Sequence, residues 1–206
     1  MITRVFFVSF EDFMSFRLAC SLVTKRSYTM RALTGLTAVL ATLLAAPAAA
    51  QTGDSISQAI RQAWDDAKGN LRQSAELIPE ADLGFKPTEQ VRTFGQILAH
   101  VAGANYVFCS AAKAEKSPFT EEHFEKTAKS KAEIAKAVND SIAYCDAAYK
   151  ALTDKSAAES IAMPFGMGNR PRVGALVGNT GHVQEHYGNL VTYFRIKSMV
   201  PPSSRR

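Results

Sequence analysis

Two histidines four residues apart, His182 and His186, are the pair in this chain best spaced to grip one metal ion. On a helix that spacing turns the side chains about 40° apart on one face, one turn above the other. Imidazole is the commonest metal ligand near neutral pH. The pair alone carries little weight, because i,i+4 histidines often face solvent. Its surroundings add to it: the strip Ala175, Asn179, His182, His186, Asn189 and Tyr193 is largely polar yet holds no Lys, Arg, Asp or Glu. A solvent face would be charged, so this strip reads as the lining of a cavity. His100 is the natural third ligand, about 110° from the centre of its own helix's apolar stripe, with Gly103 and Ala104 leaving room beside it. Three histidines from two helices leave coordination positions open, as catalytic metal sites do. Asn179, Asn189 and Tyr193 are the candidates to support the ligands or face a substrate. The plainer alternative makes His100 a satisfied core histidine and the pair a surface feature. His123, among Glu121, Glu122, Glu125 and Lys126, reads as part of a solvated charged segment and is left out.

Other motifs carry less. His182-Val183-Gln184-Glu185-His186 matches the H-x-x-E-H of inverted zinc peptidases. Those enzymes need a further acidic ligand downstream, and no Asp or Glu follows His186. Glu185 also turns outward, about 100° from His186. Gly166-Met167-Gly168 lacks the strand and spacing of a nucleotide loop. Its segment, Met163 to Pro171, reads as an ordinary loop, with apolar side chains that could serve a lid. No residue stands out as a general base. Cys109 lies nine residues past His100, on the other side of that helix, and Cys145 lies on a core stripe. In an oxidising compartment these two are expected to pair, contributing up to ~4 kcal/mol by chain entropy; the alternative is two buried free thiols.

Four amphipathic helices position these groups. Apolar residues recur at three- and four-residue spacing from Ser55 to Ile78, from Thr93 to Phe108, from Ser130 to Leu152 and from about Val173 to Met199. Thr93 with Gln96 and Ser130 with Glu133 form capping boxes, while Pro79 and Pro201-Pro202 end helices. Alternating period-2 segments are lacking, so an all-α four-helix bundle without strands is expected over residues 51–206. Gly174, Gly178, Gly181 and Gly188 on the last helix point to close approach by another backbone, such as a partner subunit, or are tolerated surface glycines.

Residues 1–50 read as an address. Ala32 to Ala46 is almost wholly apolar, follows Arg31, and precedes Ala48-Ala49-Ala50, an A-x-A cleavage site before Gln51. The run is shorter than the ~20 residues that span a bilayer. Met30 begins a conventional n-region, so translation starts either there or at Met1. The mature chain is expected to be exported, periplasmic or secreted, with no membrane span. The first fifty residues carry five basic and two acidic side chains, leaving 19 basic and 17 acidic in the rest. A body with a net of +2 lacks the concentrated basic face of a nucleic-acid binder.

Thr93-Phe94-Gly95-Gln96-Ile97-Leu98-Ala99-His100-Val101 and Asn179-Thr180-Gly181-His182-Val183-Gln184-Glu185-His186-Tyr187-Gly188-Asn189-Leu190 resemble the second- and fourth-helix signatures of the DinB-like metalloprotein superfamily. The resemblance covers roughly residues 55–202. It implies an up-down-down-up four-helix bundle, a divalent metal (usually zinc or nickel) on His100, His182 and His186, and frequent dimers. Some members are thiol-dependent S-transferases or isomerases, and many have no assigned reaction. The expected function is a metal-dependent enzyme of hydrolase or transferase type acting on a small molecule. The alternatives are a module that holds a metal or small ligand without turnover, and a helical interaction protein with no metal.

Overall fold

The computed structural model describes residues 53–205. The signal segment, its cleavage site and both possible start methionines lie outside them. Four long helices dominate: α1 (Ser55–Leu77), α2 (Phe94–Ala112), α4 (Lys131–Ala151) and α6 (Arg172–Ile196). Two short ones, α3 (His123–Thr127) and α5 (Asp154–Ala157), sit in the connections. Both expected capping boxes form. Thr93 Oγ1 accepts from the Gln96 N–H at 3.2 Å while the Thr93 N–H donates to Gln96 Oε1 at 2.8 Å. Ser130 and Glu133 repeat the exchange at the head of α4, and the N–H groups of Ser130 and Lys129 hold the Glu133 carboxyl below its ordinary pKa. Such caps satisfy backbone donors that the first helical turn leaves free.

Both α1 and α2 pack against α4 and α6, so the four long helices form a ring around one core. α2 is buried along nearly its whole length, with Phe94, Leu98, Val101 and Ala102 at the centre. Trp64 of α1 stacks on Tyr149 of α4 with ring centres 4.6 Å apart. Most of the expected apolar stripe residues are buried, and the clearest departure is at the front of α1. There Ile56 is exposed and Ser57 is buried, because Asp154 at the start of α5 accepts from Ser57 N–H and Oγ–H at 2.7 and 2.6 Å.

The expectation of no strands needs correction. β1 (Ser160–Ala162) pairs antiparallel with β2 (Asn169–Pro171), Ile161 opposite Arg170. Strands of three residues are too short to show alternation, and the turn between them uses left-handed backbone at Phe165, Gly166 and Gly168. This hairpin is the glycine-bearing connection before α6. Its Phe165 ring meets Phe108 of α2 edge-on at 5.3 Å. The helical glycines divide as well. A side chain of the same protein, Phe108, fills the space beside Gly178, whereas Gly181 and Gly188 face open space.

Candidate metal centre

α2 and α6 lie side by side, and this places the three histidines together. His100 comes from the middle of α2 and is buried; His182 and His186 come from the middle of α6 and are half-buried. His100 Nε2 stands 3.2 Å from His182 Nε2, and His186 Nε2 stands 3.1 Å from the same atom. All three ligand nitrogens fall within 4.8 Å of one another. Nitrogens bound to one ion at ~2.1 Å, with angles of roughly 90–110°, stand about 3.0–3.4 Å apart. The cluster therefore has the spacing of a shared divalent cation.

The electrostatics agree. Burial, and then the charges of His186 and His100, lowers the His182 imidazole to about 3. Burial, followed by His100, lowers His186 to about 4. Both are neutral at physiological pH, which is the form that binds metal. Glu125 settles the tautomer of the third: its Oε1 lies 3.1 Å from His100 Nδ1. A carboxylate accepts there, so Nδ1 carries the proton and the Nε2 lone pair points into the cluster. Arg92 in turn donates from Nε to Glu125 Oε2 at 3.2 Å, and the Tyr193 hydroxyl donates to the Arg92 carbonyl at 2.8 Å. A chain of contacts thus runs from α6 through Arg92 and Glu125 to the ligand on α2. The buried Nδ1 atoms of His182 and His186 have no partner within the described residues.

Glu121 and Glu125 belong to the charged segment that the sequence reading set aside, and both turn inward. Glu121 Oε1 lies 3.4 Å from His100 Nε2 and 3.9 Å from His182 Nε2. Two features bring the segment here. α2 ends in a Schellman turn, with Ala114 in the left-handed region, its N–H donating to Ala111 and the Glu115 N–H donating to Ser110. The chain then doubles back along α2 and crosses it at Gly103, where a Cβ would stand only 2.7 Å from the Glu121 carbonyl carbon. A glycine inside an otherwise well-formed helix was the available clue that another backbone lies there. His123 itself stacks on Phe119 at 4.5 Å, away from the cluster.

The supporting residues named from sequence part company. Asn189 and Tyr193 line a cleft of about 410 Å³ that reaches His186 and includes Gln90 and Arg92. Asn179 does not. It is fully buried, donating to the Tyr149 hydroxyl at 3.2 Å and lying 3.8 Å from Cys145 Sγ. The Tyr149 hydroxyl, which burial pushes up to about 12, donates to the Leu176 carbonyl at 2.8 Å. The reading of the α6 strip as one continuous cavity wall is corrected accordingly. Ala175 and Asn179 are buried in the core, where the Asn179 amide reaches across to Tyr149 and Cys145 of α4. Cys109 and Cys145 form a disulfide joining α2 to α4, Cα atoms 5.3 Å apart.

A family model for the DinB superfamily matches residues 63–190. No curated protein matches the sequence. Among solved structures, a DinB-like protein from Bacillus cereus ATCC 10987 superposes with a TM-score of 0.60 at 18% identity, over 70% of this chain and 95% of that one. A conserved protein from Enterococcus faecalis gives 0.53 at 13% identity, over 66% and 94%. The mycothiol-dependent maleylpyruvate isomerase gives 0.52 at 15% identity, over 65% of this chain and 60% of that one. These structures share the fold. The chain belongs to the DinB superfamily.

Proposed function

We propose that this DinB-superfamily chain is an exported metal-dependent enzyme of hydrolase or transferase type, acting on a small molecule at a centre made by His100, His182 and His186. The observation that carries the reading is the convergence of three Nε2 atoms from two helices beside a cleft large enough for a small substrate. The up-down-down-up bundle, zinc or nickel as the ion, and a homodimer belong to the same reading. A divalent ion held there supplies Lewis-acid polarisation of the substrate and makes a water or thiol a better nucleophile near neutral pH.

The chain's own groups do the rest. Glu125 keeps the proton on His100 Nδ1, and Arg92 holds Glu125 in place. Asn189 and the outer face of Arg92 border the cleft, where they would orient a polar substrate. The Tyr193 hydroxyl is committed to the Arg92 backbone, so it positions the cleft rather than reacting. The disulfide supports export, since such bonds persist in oxidising compartments. A relative in fold is named as a thiol-dependent isomerase, and transfer to or from a thiol is accordingly one arm of the test.

Protein purified without chelator is expected to carry near-stoichiometric divalent metal, lost when His182 and His186 are both replaced by Ala. A panel of hydrolase and thiol-transfer substrates, comparing wild type with His100→Ala, then separates turnover from binding alone. Metal bound with no turnover of any substrate, but tight ligand binding, would leave a non-catalytic module. Protein that takes up no metal would refute both.

A further inference from the structure

We infer that Glu121 is a fourth protein ligand at this centre, a carboxylate delivered by the loop between α2 and α3. The inference rests on the three-histidine reading and adds to it. With the Nδ1 proton of His100 engaged by Glu125, the neutral, metal-binding form of that ring presents a bare lone pair at Nε2. Glu121 Oε1 lies 3.4 Å from it and 3.9 Å from His182 Nε2. A carboxylate oxygen and an imidazole lone pair at that distance repel unless a positive centre lies between them. A proton on His100 Nε2 relieves that pair alone, whereas a divalent cation relieves the Glu121 oxygen and the nitrogens of His100 and His182 together.

The spacing agrees with the chemistry. Glu121 Oε1 stands 3.4 and 3.9 Å from the Nε2 atoms of His100 and His182, within the about 4.2 Å that two ligand atoms on one ion of ~2.1 Å bond length can span. Its side chain is 26% exposed, against 6% for that of His100. Glu121 therefore closes the cluster on its outer side, where a three-histidine set alone would meet water. One negative charge also offsets half of a divalent cation held among neutral imidazoles, lowering the penalty for burying it. Five- and six-coordinate ions keep positions for a substrate even with four protein ligands.

The location is built into the backbone. Gly103 has no side chain because the Thr120–Glu121 backbone occupies that space: an added Cβ would meet the Thr120 carbonyl oxygen at 3.0 Å and the Glu121 carbonyl carbon at 2.7 Å. The crossing fixes the Cα of Glu121 over the middle of α2, close to His100.

The test is cobalt(II) titration of the full mature protein, read by chelator competition and by the visible absorption bands, which report the number and kind of ligand atoms. Glu121→Gln is expected to weaken cobalt binding ~10-fold or more and to change the band positions and intensities. Glu125→Gln removes a group that touches only a ligand's far side. It is expected to weaken binding by ~10–100-fold while leaving the bands in place. Glu121→Asp, which keeps the charge on a shorter arm, is expected to recover part of the affinity. If wild type binds cobalt and Glu121→Gln gives an unchanged spectrum and affinity, Glu121 is not a ligand and the three-histidine centre stands alone. If wild type binds no cobalt, the centre itself falls, and Glu121 with it.

Discussion

α2 serves two seams of different character. Toward α6 it presents His100 to two further imidazoles, with Glu121 and Glu125 closing over them and a cleft alongside. Toward α4 it presents Cys109 in a disulfide and Asn105 in a buried bond to the Ser141 hydroxyl at 3.0 Å. One seam gathers groups whose lone pairs are unfavourable neighbours without a ligand, and the other is closed by a covalent crosslink and a buried side-chain bond. Nine residues, two and a half helical turns, separate them. Stability and chemistry are thus assigned to opposite sides of one rod, so that each can be perturbed without the other.

The largest effect should come from the closed seam. Replacing Cys109 and Cys145 together by Ser removes a crosslink between residues 36 apart, which on the chain-entropy model lowers unfolding free energy by about 4 kcal/mol. Denaturant titration measures this, and cobalt affinity should stay within twofold. Two reactive thiols in unreduced, denatured wild type would show that the crosslink does not form.

On the open seam the order reverses. His182→Ala should weaken metal binding more than ~100-fold, about 2.7 kcal/mol, and abolish the rise in Tm on adding metal, while urea unfolding of the metal-free protein hardly changes. The metal-free wild type should also carry an acid limb that this variant lacks in part. The His182 and His186 pKa values are lowered on folding, to about 3 and about 4. Their stabilising share is therefore complete above the unfolded value of 6.5 and is lost as pH falls from there toward 4 and below. Metal at neutral pH should push that limb further down.

Smaller effects test the supports. Arg92→Met removes the group that holds Glu125, and should reduce metal affinity by about 10-fold, the low end for residues that act through a ligand. Ala114→Gly relieves a left-handed residue at the end of α2 and should raise stability by about 0.5–1 kcal/mol. If Ala114→Gly instead loosened metal binding, the doubled-back loop would matter to the centre through its rigidity as well as its path.

The long helices, both capping boxes and the i,i+4 histidine pair could be read along the chain because each depends on neighbours within about four residues. His100 was reachable by its angle on the helix. Asn179 was misjudged for a related reason: an angular position shows which face a residue occupies, not how far a neighbouring helix wraps around it. Asn179 lies fully inside the core, and its amide donates to the Tyr149 hydroxyl across the bundle. Asn189, ten residues on, has the same polarity and lies at the open cleft.

What local order alone determined was the set of rods, their apolar stripes and the types of atom available for metal chemistry. The tertiary structure decided which of those atoms meet. It turned a charged segment inward across Gly103, paired two short strands, and joined two cysteines 36 residues apart. The physical reason is that helical periodicity is a short-range property of the backbone. The meeting of Glu121 with His100 depends instead on the path of a turn and on the space left by one missing side chain.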